Sequence, residues 1–313
     1  MRILITGGAG FIGSNLVEYL LKNKPLDEFI VYDNLSACGI EYLNQITGGM
    51  GDNSPVKFVK GDILDQECLY SSCEDVDVII HLAAHTDVVE SMESPKVSLS
   101  INVNGTMNVL DVARQRKVRT VVFASSNAVL GDVALPVSET SVANPISPYG
   151  AGKLACEALC KLYSKCFDIS VTALRFANAY GNYSSHKTTV IAKMLKDIMN
   201  GNGLVIYGDG YQTRDYVHAQ DIAKAIVLSI DKAKGYWLFQ VGSGEETSVI
   251  DIAETICSIA NASPDVVYKP ERPGEICRNY SSIKKIKEIL GFEPEINLKD
   301  GIKDIYEKLS LIL

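Results

Sequence analysis

The sequence predicts an α/β protein built on a doubly wound parallel sheet, with a smaller C-terminal α/β lobe. Three observations carry this. Short apolar runs of strand length alternate with longer segments of helical period through the first 175 residues. Those runs are continuous in Val, Ile and Leu rather than alternating with polar residues, the pattern of strands buried on both faces by flanking helices. After Arg175 the regular alternation ends.

Taken in order, a strand at 3–5 leads to a helix over 11–22, and strands follow at 29–32, 56–59 and 76–82. A helix over 95–116, a strand at 120–124, a helix over 148–166 opened by Pro148, and a strand at 170–174 complete the first unit. Beyond it the pattern predicts a helix over 189–200, a turn at Gly208-Asp209-Gly210, and a helix over 221–230. A strand at 237–241, a helix over 248–260 and short elements after 270–273 follow. The chain is expected to divide as 1–175 and 176–313, with part of 215–242 returning to the first unit. No Gly/Ser- or Pro-rich linker separates the halves, so the boundary should be packed and the gap between lobes is the natural ligand site.

Composition excludes several function classes. The 313 residues are 47% hydrophobic and 22% charged, and 38 acidic against 30 basic residues give a net charge of −8. With no dense Lys/Arg run, nucleic acid is not an expected partner. No apolar stretch reaches the ~18 residues of a membrane span, so no membrane partner is expected. Ile3-Leu4-Ile5 runs straight into Gly7-Gly8 with no basic segment and long apolar stretch of a leader, and a cytoplasmic location is expected. Eight cysteines contain no C-x-x-C pair and four histidines show no ligand spacing, so no metal site is expected. Cys156 and Cys160, four apart on a helix, read as buried reduced thiols.

Thr6-Gly7-Gly8-Ala9-Gly10-Phe11-Ile12-Gly13 joins the first strand to the first helix and satisfies both G-x-G-x-x-G (8, 10, 13) and G-x-x-G-x-x-G (7, 10, 13). A plain βα turn needs one glycine, not three at fixed offsets. Such glycines permit a tight turn, close backbone approach to a pyrophosphate and close helix packing, and the helix N-terminus adds free N–H donors. Asp33 follows twenty residues after Gly13, where the second strand should end. A carboxylate there accepts hydrogen bonds from ribose hydroxyls and repels a 2′-phosphate, which selects NAD over NADP.

Four further segments, Gly61-Asp62-Ile63, His81-Leu82-Ala83-Ala84, Asn102-x-x-Gly105-Thr106 and Tyr149-x-x-x-Lys153, give the chain a specific resemblance. It resembles the extended short-chain dehydrogenase/reductases, and within them the sugar-nucleotide 4-epimerases typified by UDP-glucose 4-epimerase, from Met1 to about Leu290. The resemblance implies a Rossmann-type sheet with bound NAD. It places Gly7, Gly10, Phe11, Ile12 and Gly13 on the pyrophosphate, and Asp33 with Asn34 beside the adenosine ribose. Asp62 and Ile63 would border the adenine, Leu82, Ala83 and Ala84 would line the dinucleotide, and Asn102 would support the active-site helix. His81 reads as a core histidine with its hydrogen bonds satisfied.

Tyr149 and Lys153 lie four apart just after Pro148, so both face one side of the same helix. A tyrosine with its ordinary pKa near ~10 is a poor base, and a nearby ammonium and nicotinamide cation favour its phenolate. By resemblance, Ser126 is the third catalytic group and hydrogen-bonds the reacting oxygen, while Tyr149 takes the proton of a sugar C4 hydroxyl and Lys153 assists both phenolate and cofactor. Related 4,6-dehydratases and decarboxylases carry acidic residues in the two positions after that serine. Here they are Asn127 and Ala128, which favours epimerisation. Leu130 stands where the family usually has tyrosine, a packing change beside the sugar pocket.

The segment Arg175-Phe176-Ala177-Asn178-Ala179-Tyr180-Gly181 resembles the family's diphosphate-binding stretch, with Asn178 as its ligand. Gly208-Asp209-Gly210-x-Gln212-x-Arg214 and Arg272-x-Gly274-Glu275 resemble its UDP clamp, in which Arg214 and Arg272 offer forked donors to phosphate. Asn279, five after Gly274, takes the place of the gate beside the sugar C2 substituent, and a slip of one in the alignment would make it Tyr280. The implied substrate is a UDP-hexose, UDP-Glc/UDP-Gal or the N-acetylated pair. A homodimer through 95–116 and 148–166 is expected by the same analogy. Another nucleotide-sugar oxidoreductase, dehydratase or decarboxylase, or a non-catalytic NAD-binding regulator, are the competing readings.

Overall fold

The computed structural model describes residues 1–25, 27–51, 54–271 and 276–310. In chain order the first elements are β1 (Arg2–Thr6), α1 (Phe11–Asn23), β2 (Glu28–Asp33), α2 (Glu41–Thr47), β3 (Val56–Lys60), α3 (Gln66–Ser72) and β4 (Val78–His81). Then come α4 (Val88–Glu93), α5 (Pro95–Leu99), a π-helical turn (Ser100–Asn104), α6 (Gly105–Arg116), β5 (Thr120–Ser126), a short 3₁₀ turn (Asn127–Val129), α7 (Pro148–Cys166) and β6 (Ser170–Phe176). The remainder is β7 (Asn178–Tyr180), α8 (Val190–Met199), β8 (Leu204–Tyr207), β9 (Thr213–Arg214), β10 (Tyr216–His218), α9 (Ala219–Lys232), β11 (Tyr236–Val241), β12 (Thr247–Ser248), α10 (Val249–Ala260), β13 (Val266–Lys269), α11 (Lys284–Leu290) and α12 (Leu298–Ser310).

Seven of these strands form one all-parallel sheet in the order β3-β2-β1-β4-β5-β6-β11. It is a doubly wound, Rossmann-type sheet whose order reverses between β1 and β4, and that reversal opens a crevice at the carboxyl ends of the strands. Side chains alternate between its two faces as the strand period requires. Ile3 and Ile5 enter one layer with Leu16 and Leu20 of α1 and Ile222 and Ile226 of α9. Leu4 enters the other with Leu69 of α3, Val109 and Leu110 of α6, and Cys156 and Cys160 of α7.

The helix expected over 95–116 is three pieces. Pro95 starts α5, and one wide π turn separates it from α6. Helices α2, α3 and α4 and the strands β7, β8, β9, β10, β12 and β13 are additions to the sequence reading. β11 joins the edge of the main sheet beside β6, and α9 packs on α1. A separate core gathers Ile191 and Leu195 of α8, Leu204 and Ile206 of β8, Ile252 and Ile256 of α10, and Ile302 and Ile305 of α12. Two short parallel pairs, β7–β10 and β8–β13, complete this part.

Candidate active site

The glycine turn lies under the crevice. Gly7 takes φ +71, and a Cβ there would stand 2.6 Å from the Ala83 nitrogen, so only glycine lets the turn close against the end of β4. A Cβ on Gly13 would stand 2.4 Å from both Gly7 O and Gly8 Cα, which packs α1 tightly on the turn. At Gly10 the same atom would meet only Gly7 O, at 3.2 Å, so the outer side of the backbone is open. No side chain caps the first turn of α1, and Phe11, Ile12 and Gly13 lead with their N–H groups. A cradle with an open glycine backbone and uncapped donors fits a dinucleotide pyrophosphate.

Asp33 ends β2 and is held in place by the turn: Ala9 N–H donates to Oδ2 at 3.0 Å and Leu35 N–H to Oδ1 at 2.8 Å. Burial raises its carboxyl above the ordinary value, and those two N–H groups oppose the shift. Asn34 donates to Asp62 Oδ2 at 2.9 Å, joining the ends of β2 and β3. Ile63 is buried beneath Gly105, where a Cβ would run into its Cδ1 at 2.3 Å. Leu82 N–H donates to Thr6 O, placing Leu82, Ala83 and Ala84 on the opposite flank of the crevice. His81 is fully used by the core: Nδ1 bonds Thr6 Oγ1 at 2.7 Å and Nε2 bonds Thr106 Oγ1 at 3.0 Å. Burial and the Lys153 charge bring its pKa down to about 3.

Ser147 caps α7 through Gly150 N–H, and Pro148 follows in the first turn, so Tyr149 stands at the helix mouth. Tyr149 faces the Ser126 hydroxyl at the end of β5, and the Ser126 oxygen accepts Ala128 N–H at 3.1 Å. Burial pushes the phenol up to about 12, and the Ser126 hydroxyl opposes it. From the sequence, Lys153 and the nicotinamide cation are the expected sources of that lowering. In the structure the Lys153 ammonium donates to Ala124 O at 2.8 Å and lies 5.9 Å from the Tyr149 ring centroid. Burial brings its pKa down to about 8. The three groups converge at one point on the carboxyl edge, an arrangement able to hold a hydroxyl and move its proton.

Asn102 reaches this site by two routes. Its amide clasps the His85 backbone at 2.8 and 3.0 Å, and its carbonyl accepts the Cys156 thiol of α7 at 3.2 Å. The π turn carries that residue, as such turns often do at functional sites. One group that sequence reasoning missed is Glu157, one turn beyond Lys153. It accepts Ser125 Oγ at 2.6 Å and both prongs of Arg175. Its signal was a third polar residue, four beyond Lys153, on the buried face of α7.

Across the cleft, Asn178 is exposed on β7, with its backbone N–H on Asp215 O at 2.9 Å. Arg214 is half-buried on β9 and donates to Thr213 O at 2.8 Å. Asn279 is buried, and its N–H donates to Thr213 O at 3.2 Å, so it adjoins the strand of Arg214. Ser281, two residues on, accepts Asn127 Nδ2 at 2.7 Å, which ties this segment to the turn after Ser126. Arg272 lies outside the described residues, as do Gly274 and Glu275. Among the described residues no three His, Cys, Asp or Glu side chains are placed to hold a metal ion, and no helix is long and apolar enough to cross a membrane.

The family model for the NAD-dependent epimerase/dehydratase family matches residues 3–242. A UDP-glucose 4-epimerase of Mycolicibacterium smegmatis is 35% identical over 312 residues, covering 98% of each chain. The solved UDP-glucose 4-epimerase of Thermotoga maritima, crystallised with UDP-glucose, superposes with a TM-score of 0.92 at 31% identity and covers 100% of this chain and 99% of its own. A dTDP-glucose 4,6-dehydratase of Streptomyces venezuelae, crystallised with NAD, gives a TM-score of 0.92 at 30% identity over 99% of this chain and 97% of its own. Both reaction types are therefore present among its relatives.

Proposed function

The chain belongs to the NAD-dependent epimerase/dehydratase family, and from that premise we propose that it interconverts the C4 epimers of a UDP-hexose. The observation that carries this reading is the neighbourhood of Ser126. The proton-moving groups Tyr149 and Ser126 face each other, while the next two positions are Asn127, engaged with Ser281, and Ala128. No carboxylic acid stands there to deliver the proton that elimination of a sugar hydroxyl requires. UDP-Glc/UDP-Gal and UDP-GlcNAc/UDP-GalNAc are the substrate pairs.

NAD, when bound, supplies the acceptor for the sugar C4 hydride and the donor that returns it to the opposite face. Tyr149 takes the C4 hydroxyl proton as the 4-keto sugar forms, and gives it back as the epimer forms. Ser126 holds the C4 oxygen. Lys153 supplies positive charge beside the phenolate and is steadied by Ala124 O. Gly7, Gly10, Phe11, Ile12 and Gly13 hold the pyrophosphate, Asp33 and Asn34 the adenosine ribose, Asp62 and Ile63 the adenine, and Leu82, Ala83 and Ala84 the nicotinamide side. Asn178 and Arg214 bind the substrate diphosphate, and Arg272 is assigned to the same clamp. Asn279 is the gate beside C2: it lies two residues from Ser281, hence on the same face of an extended segment, and Ser281 meets Asn127 beside Ser126.

Residues 1–175 with part of 215–242 form the NAD-binding unit in this reading, and the rest of 176–313 the sugar-nucleotide lobe. The position of β11 in the main sheet and of α9 on α1 supports the return. A homodimer through 95–116 and 148–166 is part of the proposal, supported by exposed Leu99, Met107 and Leu162 on those segments. Eight free thiols suit a reducing cytoplasm.

A UDP-hexose deuterated at C4 tests the reaction class. Epimerisation leaves the label at C4 of both epimers. Label recovered at C6 of a deoxy sugar would mean dehydration and overturn the proposal.

A further inference from the structure

Lys187 belongs to none of the motifs above. It lies in the segment after β7, half-buried, with its ammonium on Thr86 Oγ1 at 3.3 Å. Among the described residues no carboxylate stands within ion-pair distance of it. Asp87, Glu90 and the Cys38 thiol act on it only through the field, and burial holds its pKa below the ordinary lysine value. Lys196 adds positive charge nearby, its Nζ donating to Lys187 O at 3.5 Å, while burial and the two lysines bring the His186 pKa down to about 4 and keep that ring neutral. A half-buried cation without a counter-ion is costly unless an anion completes the site.

The surroundings say which anion. Thr86 follows β4, and Cys38 follows β2, with its thiol on Ala9 O of the glycine turn at 3.1 Å. These two strands flank β1, so Lys187, bonded to Thr86 after β4 and within the field of Cys38 after β2, stands at the carboxyl ends of the strands beside the glycine turn. The segment is fastened there by two neighbouring helices. Asn15 of α1 donates to Asn182 O at 2.7 Å, Tyr42 of α2 hydrogen-bonds Ser185, and the Tyr42 ring packs on Tyr183 with centroids 5.3 Å apart.

We propose that Lys187 is a ligand of the dinucleotide pyrophosphate, carried on a strap that the C-terminal lobe lays over the cofactor groove. The inference rests on the NAD reading given above. It has a functional consequence: an enzyme that returns the hydride in every turnover has no need to release its dinucleotide, and the strap slows that release. The strap also continues directly from β7, which carries Asn178, so one segment serves both cofactor and sugar nucleotide.

Calorimetric titration of the full chain with NAD, ADP-ribose, adenosine and UDP tests this, using Lys187→Met, Lys187→Gln and Lys187→Arg. The expected result is a loss of about tenfold or more in affinity for NAD and ADP-ribose in the Met and Gln variants, the size of one charge-assisted hydrogen bond. Arg should restore most of it, and adenosine and UDP should bind as to the parent protein. Unchanged NAD affinity in Lys187→Met, or weakening of UDP in place of ADP-ribose, would overturn the strap while leaving the NAD reading intact. A parent protein that neither carries NAD as purified nor binds added NAD or ADP-ribose would overturn both.

Discussion

Glu157 and Arg175 form a buried two-pronged ion pair between α7 and β6, with Nε on Oε1 at 2.8 Å and Nη2 on Oε2 at 2.7 Å. Ser125 of β5 donates to the same Oε1. One carboxylate thus holds three elements in register, and two of them, β5 and α7, carry the candidate catalytic groups. Removing it strands a guanidinium that is 4% exposed, so Glu157→Leu should cost about 3–5 kcal/mol of unfolding free energy. Urea titration measures this, and a loss below about 1 kcal/mol would contradict the claim that the pair holds the register.

Tyr149→Phe removes one hydroxyl and keeps the ring. The variant should fold and bind NAD as the parent does, yet lose at least about 10²-fold in kcat, the scale of positioned acid–base catalysis. Near-normal turnover would remove Tyr149 from the mechanism.

His81 is buried and neutral, with its pKa brought down to about 3 from an ordinary value near 6.5. The folded state therefore binds fewer protons than the unfolded chain below pH ~6.5. The stability this contributes is fully present above that pH and declines as pH falls toward the folded value, by up to about 1.4 kcal/mol per pH unit. His218 acts in the same sense. Asp33, Asp215 and Asp221, raised by burial, act in the opposite sense at lower pH. Denaturant midpoints should fall between pH 6.5 and 5.5, less steeply in His81→Gln. An identical slope in the two proteins would contradict the assignment.

Asn279→Tyr places a bulky ring at the proposed C2 gate. Its kcat/KM for UDP-GlcNAc should drop by about tenfold or more while that for UDP-Glc changes little. Equal rates on UDP-GlcNAc before and after the change would show that Asn279 is not the gate.

Much of this was legible in the chain itself, and the reasons are local. The continuous apolar runs at 29–32 and 170–174 became β2 and β6 because strands buried on both faces need no polar alternation. The glycine turn, Asp33 and the Tyr149–Lys153 pair lie within one βα unit or one helix turn. What stayed hidden depends on long-range packing. Glu157 meets Arg175 across a helix and a loop, and no periodicity distinguishes a buried glutamate from a surface one. Lys187 finds Thr86 and Cys38 only when the lobe folds back over the sheet. The π turn at 100–104 has no sequence period of its own, and it carries Asn102, which bonds both His85 and Cys156.

The most direct test of 4-epimerisation is incubation of the purified protein, without added cofactor, with UDP-Glc, UDP-GlcNAc and UDP-GlcA in turn, followed by separation and quantification of each C4 epimer. The account predicts that UDP-Glc, UDP-GlcNAc or both approach a fixed ratio with the C4 epimer, with no net reduction of NAD. No epimer from any of the three when NAD is also supplied, or a deoxy-keto product in its place, would contradict it.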